Sequence, residues 1–125
     1  MFEHSQAFSG FAVNDTTTAK QFYANTLGLN VTQLDNGFLQ LHIDGSREIL
    51  VYSKPDHTPA TYTILNFPVE DIEGTVDELS GKGVEFERYD GFDQDEKGID
   101  RTGPGGGIAW FKDPAGNILS VHGEN

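Results

Sequence analysis

The chain repeats itself, and the repeat limits what it can fold into. Phe8-Ser9-Gly10-Phe11-Ala12-Val13-Asn14-Asp15 lines up with Ile64-Leu65-Asn66-Phe67-Pro68-Val69-Glu70-Asp71 at an offset of 56 residues. Phe11 and Phe67, Val13 and Val69, and Asp15 and Asp71 fall in register. Self-similarity at so long a period means that one supersecondary unit is used twice. Each copy alternates as a strand does and ends in Asp, a preferred helix N-cap because its carboxylate accepts from the first free amides. Helical spacing follows. Ala19, Phe22, Tyr23, Thr26 and Leu27 form one stripe that ends near Gly28. Ile72, Val76 and Leu79 repeat the stripe more thinly up to Gly81 or Gly83, and Gly74 weakens this second helix.

Three short strands are expected after each helix, at about 30–35, 38–43 and 47–53, and at about 84–89, 107–112 and 117–122. Asp44-Gly45-Ser46 and Asp113-Pro114-Ala115-Gly116-Asn117 carry turn chemistry and join the last two strands of each copy. An offset of 69 places Asp44 on Asp113, Ile49 on Ile118 and Leu50 on Leu119. The expected fold is α+β: two βαβββ modules in tandem, forming a curved mixed sheet around a cleft with the helices outside. Module 1 covers about 6–54 and module 2 about 60–123, in a single domain over 1–125. Residues 90–106 interrupt the pattern with a loop long enough for a lid or a binding segment.

Composition narrows the functional classes. The 125 residues include nine Phe, four Tyr and one Trp, enough bulky surface for a core. A net charge of −12 repels phosphate backbones and anionic lipid, so neither nucleic acid nor a membrane surface is an expected partner. With no cysteine, disulfides, thiolate catalysis and Cys-ligated zinc are excluded. No apolar run approaches the roughly 18 residues of a membrane span. Met1-Phe2-Glu3-His4-Ser5-Gln6 lacks the basic and apolar regions of a signal peptide, which makes the cytoplasm the default location.

Val13-Asn14-Asp15, Phe22-Tyr23, Leu27-Gly28-Leu29 and Trp110-Phe111-Lys112-Asp113-Pro114-Ala115-Gly116-Asn117, in this order, resemble the vicinal oxygen chelate superfamily. That family groups glyoxalase I, bleomycin-resistance proteins and extradiol dioxygenases, and the likeness covers essentially the whole chain. The resemblance implies a homodimer. In metal enzymes of the family each module gives a His near the start of its first strand and a carboxylate on its last. Carried onto this chain, those positions are Phe8 and Ile64, then Val51 and Ser120. Carbon side chains cannot coordinate an ion, and a lone Ser hydroxyl is a poor donor. The expectation is therefore no metal and no cofactor.

His4, His42, His57 and His122 do not pair at metal-ligand spacing. His4 and His57 sit in polar, loop-like contexts, and His42 can face either solvent or the cleft. His122 lies two residues beyond Ser120 and is a weak candidate for a general base, against a plain solvated strand-end histidine. If Phe11, Val13, Leu65, Phe67 and Val69 pack under the helices, alternation turns Phe8, Gly10, Ile49, Val51, Tyr62, Ile64, Asn66, Ser120 and His122 towards the cleft, and Trp110 away from it. Such a lining suits a small organic molecule. The reading is a metal-free small-molecule-binding protein that sequesters an organic compound. The alternative is a glyoxalase-like metal-dependent lyase, isomerase or dioxygenase whose ligands lie elsewhere. Whether any reaction is catalysed is left open.

Overall fold

Both helices start at the aspartates that the repeat singles out. A computed structural model describes residues 1–103 and 105–124; Pro104, inside the expected long loop, and Asn125 lie outside the described residues. The chain divides into two compact units, Met1–Thr58 and Pro59 onward. Among the described residues, two α-helices and seven strands form an α+β fold with two mixed sheets.

In the first unit, α1 (Thr16–Gln21) is capped by Asp15. One carboxylate oxygen accepts from the amides of Thr17 at 3.0 Å and Thr18 at 3.4 Å, and the other takes the Thr18 hydroxyl at 2.9 Å. The helix continues as a π-helical turn over Phe22–Thr26 and stops where Gly28 takes a φ of 72°. Four strands, β1 (Gly10–Val13), β2 (Asn30–Gln33), β3 (Leu39–His42) and β4 (Ile49–Ser53), lie in the order β1-β4-β3-β2, with β1 parallel to β4. Phe11 stands opposite Val51, Val51 opposite Leu39, and Leu41 opposite Ile49. Residues paired across a ladder share a face. That face meets the π-helical turn that follows α1, whose Tyr23 ring lies 5.8 Å from Phe11. Val13, Tyr23, Leu39, Leu41 and Val51 are fully buried there, each worth about 1.5–3 kcal/mol of transfer free energy.

The second unit repeats the plan with one element missing. Its strands β5 (Thr63–Val69), β6 (Ile108–Lys112) and β7 (Ile118–Gly123) run in the order β5-β7-β6, with β5 parallel to β7. The expected strand at 84–89 is reduced to one bridge, Phe86 opposite Phe111. The physical reason lies in the Gln94 carboxamide, which accepts from the Tyr89 amide and donates to the Glu87 carbonyl. A side chain thus holds backbone groups that a neighbouring strand would otherwise pair. Residues 94, 100 and 108 continue by isolated bridges rather than a regular strand. Helix α2 (Ile72–Gly81) packs on β7 and buries Ile72, Val76 and Leu79.

Gly74 has a reason to sit inside α2. The Asp71 carboxylate caps the helix by accepting from the Gly74 amide at 3.0 Å, and a Cβ on residue 74 would fall 2.4 Å from the other carboxylate oxygen. The cap and a side chain at 74 compete for one space. Gly123 is constrained more severely, because its Cβ would meet the Gly106 carbonyl oxygen at 2.5 Å where the two backbones cross.

The long loop is ordered by two carboxylates. Asp95 accepts from the amides of Lys97 and Ile99, both at 2.9 Å, and Asp100 takes the hydroxyl and amide of Thr102 at 2.6 and 2.8 Å. Both carboxyls sit below the ordinary value of 3.8. At Asp95 burial opposes the shift, and the amides of Ile99 and Lys97 with Arg101 outweigh it; at Asp100 the Thr102 hydroxyl is the main cause.

Two outcomes follow from this chemistry. Gly74→Ala should stabilise the chain by about 1 kcal/mol in an Asp71→Ala background and by clearly less in the native one. Urea unfolding of the four proteins measures the difference, and equal gains would remove the competition. A depressed carboxyl contributes stability above its unfolded value and loses it as pH falls through the folded one. Stability should therefore decline below about pH 4, and Asp100→Asn should flatten that decline. An unchanged profile in the variant would exclude Asp100 as a source.

Candidate functional site

The β6–β7 hairpin decides which side chains share a face. Its turn closes with the Asp113 amide on the Asn117 carbonyl, while the buried Asp113 carboxylate accepts from the amides of Ala115 and Asn117 and from the Asn117 carboxamide. That closure places Trp110 opposite Ser120 and Ile108 opposite His122. On the other side of β7, Asn66 stands opposite Ser120 and Phe67 opposite Val121. Leu65, Phe67, Val69, Ala109, Phe111, Leu119 and Val121 therefore form one apolar face, which by the repeat matches the helix-covered face of the first unit. The opposite face carries Asn66, Ser120, His122 and Trp110.

Asn66 is the hub of this face. Its Oδ1 accepts from the Ser120 hydroxyl at 2.5 Å and lies 3.1 Å from His122 Nε2. With the proton on Nε2, His122 donates to Asn66 and its Nδ1 is an acceptor. The Asn66 amide group then stands as a donor beside it. Ser120 is fully buried, His122 half-buried and Asn66 exposed. This gives the face a small set of polar handles without a fixed charge among them when the imidazole is neutral.

Three aromatic rings continue the face. The Trp110 ring lies 5.4 Å from Tyr89 and 4.8 Å from Phe92, and Tyr89 is 6.4 Å from Phe92. All three contacts are steeply tilted, the geometry that brings ring edges onto ring faces. Trp110 is buried, whereas Phe92 is 51% exposed. The Tyr89 hydroxyl is buried without a hydrogen-bond partner among the described residues, and burial, followed by the Glu87 charge, pushes its ionisation above the usual value. An unpartnered buried hydroxyl is costly.

The structure redistributes the residues expected from sequence. Asn66, Ser120 and His122 come together. Ile64 falls where the β5–β7 register shifts, between Thr63 and Leu65. Tyr62 precedes β5 and is 70% exposed; Phe8 precedes β1 and is 60% exposed. Gly10, opposite Leu50, lies on the face of β1 away from Phe11. Ile49 and Val51 require a correction: they share the face of Leu41, Leu39 and Phe11, in the core of the first unit. Trp110 is corrected in the other direction, from the helix side to the face of Ser120. The cause is one residue of register. Ile43, whose carbonyl accepts the Ser46 amide, corresponds to Asp113, so the repeat runs at an offset of 70 along β3–β4 and β6–β7. Leu50, not Val51, is then the counterpart of Ser120, and a one-residue slip moves a whole strand's side chains to the other face. Tyr89 ends the strand expected at 84–89 and Phe92 lies in the long loop 90–106, and the sequence singles out neither as a site residue.

The positions where the resembling metal enzymes carry ligands do not fit a divalent ion. Phe8, Ile64 and Leu50 offer carbon, and the second module offers Ser120 with one imidazole nearby. Among the described residues, no group of three or more His, Cys, Asp or Glu is placed to hold a metal.

Comparison with known proteins agrees with this architecture. The sequence model of the Glyoxalase/Bleomycin resistance protein/Dioxygenase superfamily matches residues 5–121. The chain is 27% identical over 124 residues to the uncharacterized protein YraH of Bacillus subtilis (strain 168), covering 88% of this chain and 91% of that one. Among solved structures it is similar to TnmS3, an antibiotic binding protein from Streptomyces sp. CB03234, with a TM-score of 0.71 and 22% identity over 98% of this chain and 97% of that one. It is also similar to the fosfomycin resistance protein FosX from Listeria monocytogenes, with a TM-score of 0.73 and 15% identity over 95% and 92%. No helix among the described residues is long and apolar enough to cross a membrane. With the tandem repeat, the strand order and a match that spans nearly the whole sequence, the chain belongs to the Glyoxalase/Bleomycin resistance protein/Dioxygenase superfamily.

Proposed function

We propose that the protein binds a small organic molecule on the open sheet face of its second unit, and that it does so without a metal. The observation that carries this reading is the polar group Asn66, Ser120 and His122 set on the same face as Trp110. An apolar aromatic wall with a few placed polar atoms is the usual composition of a small-molecule site. The neighbour described as an antibiotic binding protein supports the binding of an organic compound. Ile64 stays in the proposed lining, at its edge. Tyr62 stays as a proposed ligand contact of the second unit; Phe8 and Gly10, in the first unit, stay as proposed contacts of that unit alone, whereas Ile49 and Val51 do not stay. A cytoplasmic homodimer belongs to the same proposal, and sedimentation reads the pairing.

The metal-dependent enzyme reading asks for different observations. Elemental analysis of protein purified without chelators should find no stoichiometric nickel, zinc, iron or manganese. About one equivalent per chain would favour that reading.

Binding itself is tested by titrating antibiotics and aromatic metabolites against the emission of Trp110, the single tryptophan. A saturable change is expected with at least one compound. Asn66→Ala or His122→Ala should weaken it by about threefold to tenfold, the effect of one hydrogen bond. Absence of any saturable ligand, or affinity indifferent to both substitutions, would contradict the proposal.

A further inference from the structure

The turn that carries Phe92 is fastened by several side-chain bonds at its base and by few at its tip. At the base, the Gln94 carboxamide accepts from the Tyr89 amide at 2.9 Å and donates to the carbonyls of Glu87 at 2.8 Å and Gly98 at 2.9 Å. Arg88 adds two bonds from its guanidinium to the carbonyls of Asp95 at 2.6 Å and Glu96 at 2.7 Å. At the tip, the Phe92 amide reaches the Tyr89 carbonyl only at 3.4 Å, and Gly91 takes a φ of 89°. Phe92 is half exposed, yet its ring lies 4.8 Å from Trp110, which is 7% exposed. An apolar ring is thus laid against the chain's one indole on a turn whose tip is held by that long amide bond and by the Asp93 amide on the buried Asp100 carboxylate, with the solvated side chains of Asp90 and Asp93 on either side.

We propose that the turn Tyr89–Gln94 is a gate over Trp110, hinged on the Gln94 carboxamide, and that a flat, neutral aromatic ring takes the place of Phe92 against the indole. The inference rests on the reading that this face binds a small molecule, and it adds both the ligand class and the route of entry. In the closed arrangement Phe92 supplies the ring contact that the ligand later makes. The Tyr89 hydroxyl, buried without a partner among the described residues, is the nearby polar group that a substituent on the incoming ring can engage. The neutral character follows from Asn66, Ser120 and Tyr89, which offer no charge to pair with an ion, and from His122 in its neutral form. A gate of this kind makes association wait for opening, so the open state is sampled before the ligand arrives.

Trp110 reports on both halves of the inference. Acrylamide quenching needs no ligand and reads the gate alone. Phe92→Ala should raise the quenching constant severalfold, and Gln94→Ala should raise it while keeping the ring. Phe2→Ala, at an exposed ring of the first unit, should leave it unchanged. Phe92→Leu, which removes the ring and keeps a branched apolar side chain, should act in the direction of Phe92→Ala if Gln94→Ala does not fold. An unchanged quenching constant in the Phe92 variants would overturn the gate, whatever the protein binds.

The ligand half is read by stopped-flow quenching with 4-nitroaniline, a flat neutral ring with a donor and an acceptor. The observed rate should reach a plateau with rising probe in the native protein and rise linearly in Phe92→Ala. A linear dependence in both would make Phe92 a wall contact and not a gate. No quenching by the probe in any form would overturn the ligand class, while the acrylamide result would still decide the gate.

Discussion

The buried Asp113 carboxylate sets the register on which the site depends. It is 4% exposed and holds the turn between β6 and β7 through two amides and the Asn117 carboxamide. A turn closed between residues 113 and 117 pairs Trp110 with Ser120, and β7 then carries Ser120 beside Asn66 on β5. Had the hairpin closed one residue away, the alternation of the strands would have turned Trp110 or Ser120 to the helix face. The contact that matters most to the candidate site is therefore a turn contact remote from it.

Around that register, each unit follows the same physical order. An aspartate caps a helix, the helix buries an apolar stripe, and the stripe selects the sheet face with Phe11 in one unit and Phe67 in the other. What remains is a second face free to carry polar and aromatic groups. In the first unit that face holds Leu50, Tyr52 and Gln40, with the Tyr52 ring 6.2 Å from Phe38. In the second it holds Ser120, His122 and Trp110 at the corresponding positions. One scaffold has thus been given two chemically different second faces: the first carries the Thr32–His42 pair at 2.7 Å, and the second a polar group on the same face as the indole.

Much of this was legible in the sequence, for identifiable reasons. Asp15 and Asp71 mark their helices because capping is a local interaction, and seven of the eight expected strands are present because alternation is local too. Asn66, Ser120 and His122 were singled out by strand parity alone. Ile49, Val51 and Trp110 were misplaced because matching Asp44 to Asp113 compares two turns by residue type, whereas their closing pairs differ by one position. The 84–89 strand failed because Gln94, five residues beyond it, bonds its backbone, and nothing in an alternating pattern announces a side chain that substitutes for a strand. The loop that holds Phe92 stands out by its length, but the sequence does not single out Phe92 within it or Tyr89 just before it, because their place is set by that glutamine.

The most direct test of the account is a nuclear magnetic resonance titration of isotopically labelled protein with 4-nitroaniline, following amide, carboxamide and indole signals. The account predicts shifts centred on the Trp110 indole, the Asn66 carboxamide and the backbone of Ser120 and His122, with little change in α2 or in the core around Val51. Perturbation confined to α2 or to the first unit, with the Trp110 indole unmoved, would contradict it.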